Sequence, residues 1–494
     1  MRFCVILNHP AEGVFRQKRA SEKEEQKMVL NPAHMEAYFS SALPQMKKDL
    51  QRLCRIASVR SEAAPGAPFG RGPKEALEEA LKICREKGLK TLLVADAAGE
   101  AEFESDKPVG LGILAHMDVV PAGPGWSVEP FELTEQGDYY LGRGVIDDKG
   151  PFVAALYALL YLKESGAVFK ENVRLIVGSD EECGSGDMAL YAKERQFPEK
   201  VFTPDGDFPL INIEKGRCCP TFAKTFETPI EKGVVSIRGG EITNAVPGLS
   251  YADVKGIPLS LIAEAAKDGK GGCTFGLEEE GDLVHITSFG KNAHASTPFS
   301  GVNALKGLWS LLVSLPLEKE QKESLEQLLA LFPVGDDLGE NASLAARDEE
   351  SGPLTSVFSV FDWNEKGYEG RVDIRFPLCC NLALLKEKLA VAAEKMGASL
   401  ACVTGAEPHA VESDSPFVKT LISAYEQETG ETGCKPLAIG GGTYVHEIEG
   451  GVAFGAEFPG DDNHMHGADE RLHIGNFVKT AKIFARAIAA LCCE

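Results

Sequence analysis

The sequence predicts an α/β fold in which a mostly parallel sheet is flanked by helices and interrupted by an inserted α+β unit. Three observations predict it. Short apolar runs alternate with helical segments as far as Asp205. From about residue 217 to 408 the pattern turns to strand-like alternation with a few helices, and after about 409 the first style resumes. Three of the early apolar runs each end in residues able to bind a metal.

Taken in order, the pattern reads as helical from 34 to 97. MEAYFSSALPQMKKDLQRLCRIA comes first, then KEALEEALKICREKG after the turn PFGRGP, with Pro73 suited to a first helical turn. The apolar run GILA at 112–115 stops at His116. The helix PFVAALYALLYLKES follows, opened by Pro151, and then VRLIVG at 173–178 stops at SDEE. A third run at 201–203 stops at Pro204-Asp205. In parallel sheets the ligand crevice lies beyond the carboxyl ends of the strands, so these endings converge on one place. GVVSIRG, DLVHITSFG and YEGRVDIRFP alternate as strands, with ALKGLWSLLVSL between them as a helix. SPFVKTLISAYEQETG, GVAFGAEFPG and NFVKTAKIFARAIAALCC return to the earlier style. The expected organisation is 1–216 plus 409–494 as one domain, with 1–27 a possible extension, and 217–408 as a second.

A chain of 494 residues is too long for one ordinary core. Its 44% apolar and 25% charged residues describe a globular protein rather than a disordered one. No apolar run reaches the ~20 residues of a membrane span, and no signal-peptide pattern is read at the start. A net charge of −23 disfavours nucleic acid and anionic membrane as partners. Thirteen cysteines, with three adjacent pairs and no CxxC, fit reduced cytoplasmic thiols better than a disulfide framework. Cys183, beside the acidic SDEE run, reads as buried filler rather than as a ligand.

Five separated segments carry the donors: His116-Met117-Asp118, Gly142 to Gly150 with Asp147-Asp148-Lys149, Asp180-Glu181-Glu182, Pro204-Asp205, and His464-Met465-His466 with Glu470. Each alone has a bland explanation. An HxD tripeptide is common, a Glu pair usually faces solvent, and Asp147-Asp148 could cap the next helix. Together, mixed His and carboxylate donors suit zinc, manganese or cobalt. A carboxylate can bridge two cations through its two oxygens, and two cations about 3.5–4 Å apart can activate a shared water.

The stretches GILAHMDVVPAGPGWSVEPFE, YLGRGVIDDKGP, VRLIVGSDEECGS and FTPDGDFPLINIEKG resemble the dinuclear zinc metallopeptidase family 20. That family includes PepV-type dipeptidases, carnosinases, desuccinylases and aminoacylases. IGGGTYVHEIEGGVAFGAEFPG, HMHGADE and PFGRGPKEALEEALK resemble the PepV-type branch in particular. The resemblance runs from about residue 35 onward.

It implies two divalent metal ions, zinc first, with manganese or cobalt as alternatives. His116 and Asp205 would hold one, Glu182 and His466 the other, and Asp147, followed by a cis peptide, would bridge both. Asp118 would orient the His116 imidazole. Glu181 would act as general base toward a metal-bridged hydroxide. His464 is the alternative to His466, which alone has the family's Glu four residues later, and Asp207 is the alternative to Asp205. GKNAHASTP resembles the family's lid motif, so His294 would donate to the oxyanion. Asn244 and Arg375 would hold the substrate's terminal carboxylate, and Gly441-Gly442-Thr443 would form a substrate loop. For Arg375 the bland alternative is a structural salt bridge.

The implied activity is hydrolysis of dipeptides with a free C-terminal carboxylate by a cytoplasmic monomer. A deacylase of N-acyl amino acids is the alternative. A non-catalytic binding protein is disfavoured because every expected position is filled.

Overall fold

The computed structural model describes residues 30–227 and 231–494. The 1–27 segment read as an extension lies outside them. The described chain forms two compact units. One ends at Asn212 and takes up again at Val411–Leu437 and Thr443–Glu494; the other is Ile213–Ala410 with Ala438–Gly442.

The first unit is built on a mixed sheet. Six of its nine described strands are β1 (Lys90–Val94), β2 (Ala98–Glu102), β3 (Val109–His116), β4 (Asn172–Gly178), β5 (Val201–Thr203) and β6 (Val452–Ala453), in the order β1-β2-β4-β3-β5-β6. The middle pairs β4–β3, β3–β5 and β5–β6 are parallel, and β1 and β2 pair antiparallel at the edge. The expected parallel sheet is therefore present at the centre, where its strands are apolar on both faces. Leu111, Ile113 and Ala115 of β3 and Val173, Leu175 and Val177 of β4 pack into one core, whereas Leu114 and Ile176 point into another on the opposite face. This period of two is what a sheet covered on both sides requires.

Helices α1 (Pro32–Cys54), α2 (Arg71–Glu86), α3 (Lys149–Glu164), α5 (Pro416–Thr429) and α6 (Ile474–Cys492) supply the larger core, and α4 (Gly186–Glu194) the smaller. α3 is buried from Phe152 to Leu162 because it packs on α1, α6 and β3 at once. Asn31 caps α1 by accepting from Ala33 N at 2.9 Å and His34 N at 3.2 Å. Pro32 at the first turn of α1 and Pro416 in that of α5 cost no hydrogen bond there.

One element departs from the sequence pattern. Residues 90–94, read within a helical stretch, form edge strand β1. α2 stops at Glu86, and Gly88 follows at φ 87°. Val94 then turns back through Ala95 and Asp96, at φ 49° and 54°, into β2. That turn has the positive-φ geometry of a tight hairpin but lacks the Asn-Gly that would announce it.

In the second unit an eight-stranded antiparallel sheet runs in the order Thr274–Glu280, Leu283–Phe289, Leu249–Lys255, Gly233–Gly239, Thr355–Asn364, Gly367–Phe376, Gly216–Thr225, Ser399–Ala406. Helices including Ala304–Leu312, Lys319–Leu331 and Leu382–Lys395 add to its core around Trp309, Phe358 and Phe361. No helix among the described residues is long and apolar enough to cross a membrane.

Because Ile113 is buried at the centre of β3, Ile113→Ala is expected to cost about 2–5 kcal/mol of stability. Chemical denaturation checks this; a loss under about 1 kcal/mol would contradict the placement of β3 in the core.

Candidate metal centre

β3 and β5 lie side by side in parallel, with Ile113 opposite Phe202. His116 closes β3, and Asp205 stands two residues beyond β5. β4 ends at Gly178, and the chain turns through Ser179 and Asp180 into the short 3-10 turn Glu181–Cys183. Asp147 precedes α3, and the Asp147–Asp148 peptide is cis. His466 comes from the loop between β6 and α6.

These side chains form two donor groups that share one residue. His116, Asp147 and Asp205 make the first; Asp147, Glu182 and His466 make the second, with ligand atoms in each within 4.8 Å of one another. His116 Nε2 lies 2.9 Å from Asp147 Oδ1 and 3.7 Å from Asp205 Oδ2. His466 Nε2 lies 2.8 Å from Asp147 Oδ2 and 3.3 Å from Glu182 Oε2. Each Asp147 oxygen thus faces a different imidazole, the placement a bridging carboxylate needs.

Neighbouring groups fix these donors. His116 Nδ1 donates to the Asp118 carbonyl at 2.9 Å, which sets the tautomer and turns Nε2 toward Asp147 and Asp205. Nε2 is fully buried and has no aligned hydrogen-bond partner, despite its 2.9 Å approach to Asp147. The Asp118 carboxylate stands 3.6 Å from the same Nδ1 and accepts from Glu181 N and Glu182 N, each at 3.1 Å. Asp118 therefore orients the imidazole through its main chain and the two glutamates through its side chain.

The cluster is short of positive charge. Burial, then Asp147, pushes Glu182 up to about 7 and raises Asp205. Glu181, half-buried, is raised well above the carboxylate range by burial and by Asp205. Burial works against the charge on Asp147, but His116 and His466 outweigh it and hold that carboxyl far below its usual value. Burial also opposes charge on the imidazoles. Their carboxylate neighbours prevail, raising His116 well above its usual value and His466 to about 11. Without metal, protons on the imidazoles stand in for cations. The orphaned Nε2, the mixed nitrogen and oxygen donors and the surplus of carboxylates fit a pair of divalent cations.

The model of peptidase family M20/M25/M40 matches residues 112–490. The chain belongs to this family. Among curated relatives of this M20/M25/M40 metallopeptidase, "Putative dipeptidase YtjP" of Bacillus subtilis (strain 168) is 32% identical over 456 residues, covering 90% of this chain and 96% of the relative. A "Putative dipeptidase" of Staphylococcus epidermidis is also 32% identical, covering 91% and 97%. Human carnosine dipeptidase 1 shares the fold at a TM-score of 0.54 with 16% identity, covering 93% of this chain and 99% of that one. The dipeptidase Dug1p of Saccharomyces cerevisiae does so at 0.55, also at 16%, covering 93% and 98%. The peptidase is a metal-dependent hydrolase.

Both alternative ligands fall outside the donor groups. His464 faces the Ala468 carbonyl at 3.2 Å and Asp462 at 3.4 Å. Asp207 joins neither group. Cys183 also joins neither, and it is exposed rather than the buried filler expected, because the 3-10 turn carries it outward. Asp148 takes the N-cap position of α3 but makes no capping bond; its Oδ2 accepts from His116 N at 3.1 Å.

Several supports of the cluster carry no local sequence pattern. Asp187 receives Ser179 N at 2.5 Å, Asp180 N at 3.0 Å and the Tyr444 hydroxyl at 2.5 Å, fixing the turn before Glu181. Glu470, noted only for its spacing, is buried against Arg143 at 2.6 Å. An Arg placed before a ligand loop was the available signal.

The second unit carries the remaining predicted positions other than Thr443. The bridge Ala245–Val246 with Ala293–His294 sets Asn244 next to the His294 turn, where Ala295 N donates to Asn244 O at 2.9 Å. Thr355 pairs with Arg375 and donates to the Ala295 carbonyl at 3.2 Å. Arg375 donates to both Asp373 oxygens, at 2.6 and 2.9 Å, and to Gly440 O at 2.7 Å. The salt bridge expected as the alternative for Arg375 thus exists and uses two of the five guanidinium N–H groups, and the bond to Gly440 uses a third. A Cβ on Gly440 would meet the Ser296 Cβ at 2.6 Å, so glycine is required there. Gly441 and Gly442 group with this unit and Thr443 with the first.

Since protons hold the metal-free cluster together, cation binding has to expel them. Zinc added to the metal-free peptidase at neutral pH is expected to release protons, and its affinity to rise from about pH 6 to about pH 8. Calorimetry in buffers of different ionisation enthalpy measures both. Uptake without proton release would contradict these charge assignments.

Proposed function

We propose that the protein hydrolyses dipeptides bearing a free C-terminal carboxylate. The observation that carries this reading is Asp147 shared between two donor groups, with Glu181 beside them and in neither. Zinc is the proposed cation, manganese and cobalt the alternatives. Held by His116, Asp147, Asp205, Glu182 and His466, such cations would lower the pKa of a water toward ~7 and so would supply hydroxide at neutral pH. Relatives named putative dipeptidases support the substrate class.

Glu181 is the proposed general base. Asp118 fixes its main chain, and burial and Asp205 make its carboxylate proton-seeking. It takes the water's proton and delivers it to the leaving amine. His294 is proposed to donate to the developing oxyanion. Ser296 N donates to His294 Nδ1 at 3.2 Å, so a neutral ring would carry its proton on Nε2, the nitrogen this role needs.

Asn244, Arg375 and the Gly441-Gly442-Thr443 loop are proposed to hold the substrate. Arg375 retains two N–H groups beyond those given to Asp373 and Gly440, enough for one planar carboxylate. The unit bounded from sequence at 217–408 is the proposed substrate clamp. The protein is proposed to act as a cytoplasmic monomer on small peptides, and its net charge of −23 repels nucleic acid and anionic membrane.

Glu181→Gln is expected to keep its metal and lose about 10²–10⁴-fold in turnover; metal content and dipeptide hydrolysis measured together check it. Near wild-type rates would remove Glu181 as the base. A panel of free dipeptides assayed beside acetyl- and succinyl-amino acids separates this reading from a deacylase, and hydrolysis confined to the acyl compounds would overturn it. Arg375→Lys keeps the charge but loses the planar fork, so KM for dipeptides is expected to rise about tenfold or more; an unchanged KM would leave Arg375 with Asp373 alone.

A further inference from the structure

The two donor groups are supported in different ways. In the first, His116 ends β3 and Asp205 stands two residues beyond β5, and these strands are hydrogen-bonded to each other in a buried sheet. Asp147 is held beside them independently. His116 N donates to Asp148 Oδ2 at 3.1 Å, and buried Lys149 donates to the carbonyls of Leu53 and Ile56, each at 3.1 Å.

His466 has no such strand behind it. Its loop places three non-glycine residues at positive φ: His464 at 54°, His466 at 60° and Asp469 at 57°. L-residues rarely adopt that conformation, and it persists where surrounding contacts over-determine it. The imidazole of His466 is also the most exposed of the paired donors, at 52%.

What holds this loop is Glu470. Its side chain is fully buried and accepts from Arg143 Nη1 at 2.6 Å, from Gly144 N at 3.0 Å and from Ile146 N at 3.1 Å, while its carbonyl accepts from Gly142 N at 3.0 Å. Arg143, equally buried, donates onward to the carbonyls of Pro121 and Ala122 at 3.3 Å and of Gly467 at 3.1 Å. Its guanidinium lies 5.2 Å from the Trp126 ring. Ile146 immediately precedes Asp147, and Gly467 immediately follows His466. One ion pair therefore ties the loop bearing His466 to the loop bearing Asp147, and it touches neither His116 nor Asp205.

We propose that the Arg143–Glu470 pair is a positioning device for the second cation alone: it holds His466 against Asp147 and Glu182, so that the His116–Asp205 position fills first and the pair sets the affinity of the other. This rests on the paired-cation reading above. Outer groups of this kind change metal affinity by about 10–100-fold when altered, and here the change falls on one of two sites.

The test is a zinc titration of the metal-free protein by calorimetry against a competing chelator, with melting temperature followed at each equivalent. Wild type is expected to bind in two resolved steps. Glu470→Gln is expected to leave the first step within about twofold and weaken the second about 10–100-fold. Because that variant strands a buried arginine, the double variant Arg143→Met/Glu470→Leu is measured beside it. Removing both charges together avoids an unpaired one, and its metal-free melting temperature is expected near wild type. A folded variant that binds both equivalents as wild type does, or loses both equally, overturns the proposal. Should neither variant fold, the wild-type titration decides, since a single class of two equal sites also overturns it. A wild type that takes up fewer than two cations defeats the paired-cation reading itself, and this proposal with it.

Discussion

The site depends on a single electrostatic constraint: the carboxylates of Asp147, Glu181, Glu182 and Asp205 are drawn together in largely enclosed surroundings with only two imidazoles to offset them. Bringing like charges out of water is costly unless positive charge accompanies them. Asp147 stays ionised because an imidazole faces each of its oxygens. For its neighbours burial and the other carboxylates outweigh the more distant imidazoles, and they are driven toward their protonated forms. Such a cluster is poised to exchange protons for cations, and the supports of the first unit maintain that imbalance.

Those supports divide the labour. The parallel strands β3 and β5 deliver His116 and lead to Asp205 at the carboxyl edge of the sheet, where α/β folds bind their ligands. Loops deliver the rest, and each has its own buried tether. Asp118 holds the turn bearing both glutamates, Asp187 holds the residues before it, and Glu470 with Arg143 joins the loops of Asp147 and His466. Every tether is an acidic side chain accepting main-chain N–H groups. The acidic composition thus has a structural use beside its chemical one.

Much of this was legible in the sequence because it lies in period and position. Apolar runs ending in His116, Glu181-Glu182 and Asp205 identified strand ends, and a parallel sheet then required those ends to share an edge. The shared role of Asp147 followed from resemblance to a family rather than from spacing, and the two donor groups meet on that residue. Local signals failed where geometry came without its usual residues. β1 was hidden in a helical stretch because its hairpin turns on Ala95-Asp96 instead of Asn-Gly. The double duty of Asp118 and the bond from His116 N to Asp148 depend on main-chain atoms, which side-chain patterns do not announce. The Arg143–Glu470 pair joins residues 327 apart, beyond any local pattern.

Asp147 is proposed to join two cation positions through its two carboxylate oxygens. X-ray absorption spectroscopy of the metal-free protein reloaded with zinc tests it most directly. Two equivalents per chain with a metal–metal distance of about 3.5–4 Å are expected, with loss of that scattering path in Asp147→Asn. Two equivalents with no metal–metal path, or a path that survives removal of the Asp147 charge undiminished, would contradict it.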